Sequence, residues 1–151
     1  MRNSKVKGFT LIELIVVIAI IGVLAAILVP SMMGFVKDSK YSTANANAKL
    51  VHTNLSTWAA KEEANGTPLT NSDSGSCTIA SSATAPTPGT STCADALGYY
   101  MQSADGSDAQ WTIDTNGAPT KAWWRSASTD TIIGRYPDPT SADAPAAAMG
   151  S

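Results

Sequence analysis

The run Phe9-Thr-Leu-Ile-Glu13-Leu-Ile-Val-Val-Ile-Ala-Ile-Ile-Gly22-Val-Leu-Ala-Ala-Ile-Leu-Val29, closed by Pro30, decides how the rest of the chain is read. Its 21 residues carry a single charge, Glu13. As a helix rising about 1.5 Å per residue they span roughly 32 Å, the thickness of a hydrocarbon core of about 30 Å. A soluble core would have to surround such a helix with apolar partners. The remainder, mostly Ser, Thr, Ala, Gly and Asp, cannot supply them. The helix therefore belongs in a membrane at some stage. Arg2, Lys5 and Lys7 stand before it with no acid among them, which keeps that end cytoplasmic and places the C-terminal part outside.

A cleaved secretory signal is the competing reading. Its apolar region is usually about 7–15 residues long and ends at a small-residue site. Ala25-Ala26 could imitate that site, but here the apolar run continues to Val29 and helical spacing resumes after Pro30.

The junction Gly8-Phe9-Thr10-Leu11-Ile12-Glu13, with its short basic leader and long apolar run, resembles the type IV pilins and pseudopilins. The resemblance covers about the first 35 residues, and no comparable motif follows. It implies that a prepilin peptidase cuts between Gly8 and Phe9 and that Phe9 becomes N-methylated. It also implies an α+β fold, a pilin-like lollipop whose long N-terminal helix packs its second half on a small antiparallel sheet. Partners would be further copies in a helical polymer, the peptidase, an assembly machinery with its ATPase, and the membrane before assembly.

Glu13 is notable on physical grounds alone. A carboxylate at the centre of a membrane helix costs about 2.5–3.5 kcal/mol on insertion scales, so such groups usually find a partner. No Lys, Arg or His lies between Phe9 and Val36. Cleavage after Gly8 would create a partner in the new Phe9 amine, and the resemblance places that amine on a neighbouring subunit, with Glu13 setting axial register. The alternative is a carboxylate snorkelling to the interface from one turn inside the run. Gly22, Ala25 and Ala26 offer a small face for close helix packing. Pro30 predicts a bend or local break. The resemblance implies that the helix between Gly22 and Pro30 can stretch in the fibre.

Beyond Pro30, Ala44, Ala48, Val51, Leu55 and Trp58 recur at helical intervals, and Asn65-Gly66 is a stop signal. Trp58 reads as a core anchor, His52 as packed or solvated, and Met32, Met33, Phe35 and Val36 as subunit-facing. The expected divisions are a leader (1–8), an apolar polymerisation helix (9–30), its amphipathic second half (31–64), a head (65–136) and a loose tail (137–151).

In the head, residues 67–94 read as a Ser/Thr/Pro/Ala-rich loop, a composition that could carry sugars. It contains Cys77 and Cys93, both of the chain's cysteines. A disulfide between them would close a loop of about 15 residues, worth roughly 3 kcal/mol, in an oxidising location. Two free thiols are the other reading, since the spacing carries no metal or redox signature. Trp111 and Ile113 alternate with polar residues before the turn Asp114-Thr-Asn-Gly117. Lys121 to Ser126 and Thr131 to Tyr136 look like further strands, and Leu97 to Gln102 like a weaker one. Together they predict a sheet of three or four antiparallel strands.

No phosphate-binding loop, zinc site or nucleophile with its base is present, and neither an enzyme nor a cofactor is expected. Asp105 and Asp108 flank a Gly-containing turn of a kind calcium can use, though such pairs are also common in solvated turns. Trp123 and Trp124, adjacent on a strand, would face opposite sides. One could pack on the helix while the other stacks on polysaccharide or a host surface. Packing of both in core and contacts is the plainer alternative.

The formal charge of −2 gives no generic nucleic-acid-binding surface. It belongs to the precursor: losing Arg2, Lys5 and Lys7 from 10 basic residues leaves 7 against 12 acidic ones, a formal −5. The expected role is a structural pilus subunit of a surface filament used in adhesion or motility. The alternative is a pseudopilin of a type II secretion or DNA-uptake system. A membrane-anchored binding module that never polymerises would leave Glu13 and the Gly8-Phe9 junction unexplained.

Overall fold

A computed structural model describes residues 8–142 and 148–149; Arg2, Lys5, Lys7 and the remainder of the expected tail lie outside the described residues. The chain divides into two units, Met1–Lys37 and Asp38–Ser151. Helix α1, Leu11–Ala64, begins in the first and ends in the second. With the four-stranded antiparallel sheet described below it makes the α+β fold expected from the sequence.

In the first unit α1 continues through Pro30 without a local break, one of the two outcomes expected there. The Ser31 hydroxyl donates to the Leu28 carbonyl at 2.9 Å, one turn back. Every described residue from Gly8 to Lys40 is exposed.

In the second unit α1 buries Tyr41, Ala44, Ala48, Val51, Leu55, Trp58 and Glu62, one face at alternating steps of three and four. Against this face lie strands β1 (Gly75–Thr78), β2 (Asp108–Ile113), β3 (Pro119–Arg125) and β4 (Gly134–Tyr136), antiparallel in the order β1-β2-β3-β4. Ala109, Trp111, Ala122 and Trp124 join the helix face in one core. Close approach is built into β4: a Cβ on Gly134 would stand 2.0 Å from the Ala44 carbonyl carbon and oxygen, so only glycine lets this strand meet the helix backbone. Between β2 and β3, Asp114 Oδ1 accepts the N–H groups of Asn116 and Ala118, both at 2.8 Å. Gly117 completes this turn at φ +83°, where a Cβ would also strike the Leu69 carbonyl oxygen at 2.6 Å.

Two elements differ from expectation. Leu97 to Gln102 is not a strand: helix α2, Cys93–Tyr100, occupies most of it, followed by a single 3-10 turn. Thr92 starts α2, its N–H donating to Asp95 Oδ2 at 2.8 Å while the Asp95 N–H donates to its hydroxyl at 3.2 Å. That reciprocal pair commits the backbone to helix. Strand β1, in turn, lies inside the stretch read as loop. It pairs with β2 through the register Cys77↔Ala109, and the intervening α2 makes the connection longer than a hairpin.

The start of the expected loose tail is anchored. Thr140 is buried, and its N–H and hydroxyl both donate to Asn45 Oδ1 at 3.0 Å. Asn45 Nδ2 returns a bond to the Thr140 carbonyl at 2.6 Å.

Candidate assembly segment

Thr10 precedes the first helical residue, and Glu13 is the third residue of α1. The Thr10 N–H and hydroxyl donate to Glu13 Oε2 at 2.8 and 2.7 Å, and the Glu13 N–H donates to the Thr10 hydroxyl at 3.3 Å. This is a capping box: it satisfies N–H groups that the first turn of any helix leaves without partners. Thr10-x-x-Glu13 carries this cap in the sequence itself, so the carboxylate has partners in its own first turn without any basic residue. The carboxylate is thus held at the helix start, four residues from Phe9.

Around it the surface is apolar. Phe9 is 89% exposed and Phe35 75%, and the Leu, Ile, Val and Met residues between them are also exposed. The helix is long and apolar enough to cross a membrane. Gly22 has nothing within 4 Å of where a Cβ would stand, so in the single chain its small size serves no internal contact.

The other sequence candidates lie in the second unit, away from any common site. Trp123 and Trp124 alternate across β3, as adjacent residues must. Both are nevertheless buried, at 2% and 8% exposure, so neither indole is an open platform for sugar stacking. Trp124 belongs to the core and its Nε1 donates to the Ser107 hydroxyl at 2.9 Å. Asp108 is engaged by Arg125, 2.9 Å away, and by the Thr78 hydroxyl at 2.8 Å. Asp105 accepts the Ser81 N–H at 2.7 Å. The two aspartates are thus turned to different partners, and among the described residues no cluster of three or more metal-ligating side chains occurs.

Cys77 and Cys93 are free thiols in this structure, not the expected cross-link. Burial raises the Cys77 thiol to about 11, helped by Asp108 and Asp95. Burial likewise raises Cys93 to about 12, with Asp73 and Glu62 adding to it. Both therefore stay protonated and weakly nucleophilic near neutral pH. His52 is packed: Nε2 donates to the Pro119 carbonyl at 3.0 Å, and its ring lies 4.7 Å from that of Tyr136.

Two polar residues that organise the head were not singled out in the sequence. Asn45 ties α1 to β4 and to the segment after it. Glu62, 3% exposed, accepts the Gly89 N–H at 2.8 Å and the Thr67 hydroxyl at 2.5 Å, fastening two loops to the end of α1. Neither sits in a motif, and their partners are far away in sequence or inside irregular loops.

Comparison with known proteins places the family match within the first unit. Residues 3–29 match the family described as the prokaryotic N-terminal methylation motif. The type IV major pilin protein PilA of Myxococcus xanthus is 51% identical over 51 residues, 34% of this chain and 23% of that protein. The type IV wide pilus major component PilA4 of Thermus thermophilus is 64% identical over 33 residues, 22% of this chain and 24% of that protein. The type II secretion system core protein G of Pseudomonas aeruginosa is 39% identical over 51 residues, 34% of this chain and 36% of that protein. The chain thus spans only about a quarter to a third of the curated relatives it matches. No solved structure matches.

Proposed function

We propose that this chain, which belongs to the type IV pilin family by its N-terminal segment, is a structural subunit of a type IV pilus, cut after Gly8 and polymerised through α1. The observation that carries the reading is the contrast within one helix. From Tyr41 onward α1 buries one face in the core of its own head, whereas from Phe9 to Val36 its apolar side chains are all exposed. Leaving so large an apolar surface in water is unfavourable by about 25 cal/mol for every Å² that could be buried. Lipid covers it in the precursor; neighbouring α1 helices cover it in the fibre.

In this mechanism nothing is catalysed. The prepilin peptidase removes residues 1–8 at the cytoplasmic face, leaving Phe9 as the methylated N-terminus. Glu13, held at the first turn by Thr10, presents its second carboxylate oxygen to the Phe9 amine of a neighbour, which fixes the axial step. Gly22 and the adjacent alanines allow close approach of helices, and Pro30, lacking an N–H, marks where α1 can extend. The subunit waits in the cytoplasmic membrane with its head outside, and ATP-driven assembly machinery lifts it into an extracellular filament serving adhesion or motility.

The similarity to a type II secretion core protein supports a second reading, a pseudopilin with the same tail chemistry. Shearing surface filaments from wild-type cells and sequencing their main component separates the two. This chain, beginning at Phe9, is expected as the major component. Its confinement to a short envelope-spanning structure would favour the pseudopilin, and a mature chain that does not begin at Phe9 would overturn both.

A further inference from the structure

Two Asn-Gly pairs occur in the chain, Asn65-Gly66 at the end of α1 and Asn116-Gly117 in the turn between β2 and β3. A glycine after asparagine puts no Cβ in the way, so its backbone nitrogen can reach the side-chain carbonyl carbon before it. Each glycine N–H is bonded within its own turn, Gly66 to the Glu63 carbonyl at 3.0 Å and Gly117 to the Asp114 carbonyl at 3.2 Å. Their surroundings differ. Gly117 is buried against Leu69, and Asp114 closes its turn, donating to the Ala118 carbonyl at 2.9 Å and accepting the Asn116 and Ala118 N–H groups. Asn65 and Gly66 are exposed, and nothing lies within 4 Å of where a Gly66 Cβ would stand. The Asn65 carboxamide also meets a relay. Its Nδ2 donates to the Thr67 hydroxyl at 3.4 Å, and that hydroxyl donates to Oε2 of buried Glu62 at 2.5 Å.

We propose that Asn65 is a site of self-modification, at which the chain converts its own asparagine into aspartate or isoaspartate. The Gly66 nitrogen gives its proton to water and attacks Asn65 Cγ, closing a succinimide ring. The Cγ–Nδ2 bond breaks, and its electron pair leaves on nitrogen as ammonia, which takes up the balancing proton from water through the Thr67 hydroxyl. Glu62 Oε2 holds that hydroxyl in place and is a positioning residue. Water then adds to either ring carbonyl and opens the ring. The sum is asparagine and water giving aspartate or isoaspartate and ammonia. The exposed helix end admits this water, whereas Gly117 is shut away from it. The product acts on the head in a definite direction. A new carboxylate joins Glu62 and Glu63 at the C-terminus of α1, where the helix dipole disfavours negative charge. A Cβ on Gly89 would stand 3.2 Å from Asn65 Nδ2, so the charge arises beside the loop that Glu62 fastens through the Gly89 N–H. Conversion therefore weakens that fastening as the subunit ages.

The full-length chain, kept folded in detergent at mildly alkaline pH, is sampled over time, digested and mapped by mass. The Asn65 peptide is expected to gain the mass of a hydroxyl replacing an amino group and to become a substrate for an isoaspartyl methyltransferase. Asn116 serves as the clock within each molecule. Asn65 should convert at least about 10-fold faster, because Gly117 must first leave a closed turn. In Thr67→Val this ratio should fall several-fold, and in Thr67→Ser it should hold. A hydroxyl that merely restrained the helix end would give the opposite sign, with faster conversion in Thr67→Val as Gly66 is freed. An Asn65 that keeps its amide, an Asn116 that keeps pace with it, or a ratio that rises or stays level in Thr67→Val overturns the proposal. None of these readouts depends on whether the chain polymerises.

Discussion

Glu13 and Thr10 bind each other in both directions: the carboxylate accepts the threonine N–H and hydroxyl at 2.8 and 2.7 Å, and the threonine hydroxyl accepts the Glu13 N–H at 3.3 Å. Glu13 therefore has a capping role within its own helix and, in the proposed fibre, a pairing role toward a neighbour. The two are separable by mutation. Thr10→Ala removes the hydroxyl, at a cost to the helix start of about 1 kcal/mol, and leaves the carboxylate in place. Filament yield in the sheared fraction is expected to stay within a few-fold of wild type for Thr10→Ala. For Glu13→Ala it is expected to vanish, with the precursor still inserted in the membrane. Equal loss in both variants would assign the effect to capping instead.

The contact of Gly134 with α1 predicts a large and specific loss of stability. In Gly134→Ala the new methyl would have to occupy space 2.0 Å from the Ala44 carbonyl, and backbone on both sides must move. A cost at or above about 3 kcal/mol is expected, the upper part of the overpacking range. Gly106→Ala is the control. Unlike Gly134 it has a positive φ, +78°, yet nothing lies within 4 Å of the added carbon, so it should lose only about 1 kcal/mol. Thermal unfolding of the detergent-solubilised chain ranks the two; equal losses would mean that β4 does not lie this close.

Asn45 is expected to control access to the segment after β4. Asn45→Ala strands the N–H groups of Arg135 and Thr140 and the Thr140 carbonyl, each bonded to the Asn45 side chain. Leaving buried polar groups without partners costs roughly 1–3 kcal/mol apiece where water cannot replace them. Asn45→Asp keeps an acceptor for both N–H groups and loses only the donor to the carbonyl. Limited proteolysis should cut between Pro137 and Ala142 fastest in Asn45→Ala, less in Asn45→Asp and slowest in the wild type. A cleavage rate indifferent to Asn45 would show that the segment is held by other contacts.

What the sequence made legible follows from how local each signal is. The apolar run, the helical face from Ala44 to Trp58 and the Asp114–Gly117 turn are written in neighbouring residues, and all three are present. Strand β1 is four residues, Gly75–Thr78, with one substantial apolar side chain, too little for a period to show. Leu97, Tyr99 and Met101 alternate with other residues and imitate a strand, while Thr92-x-x-Asp95, which ends two residues upstream, holds the deciding information. Asn45 and Thr140 stand 95 residues apart, so no local pattern could pair them. In the assembly segment the residues were legible, and the Thr10–Glu13 cap is also a local Thr-x-x-Glu pattern, overshadowed by the apolar run that makes the lone carboxylate look in want of a cation.

The two thiols make a prediction with a definite direction in pH. Unfolded, a cysteine titrates near 8.5, so about a quarter of it is thiolate at pH 8; with a value of about 11 in the folded head, Cys77 would be only about one-thousandth thiolate. Alkylation of the native chain at pH 8 should therefore be slower than in denaturant by at least about 100-fold. The folded values lie above the unfolded one, so the folded state holds these protons more tightly. The associated stability is complete below about pH 8.5 and drains away as pH rises through 11 and 12. The melting temperature should thus fall on the alkaline side, and less steeply in Cys93→Ala than in the wild type once their neutral-pH difference is subtracted. Alkylation in denaturant without reductant gives the stoichiometry: two adducts per chain are expected, and none would mean that Cys77 and Cys93 are joined in the mature protein.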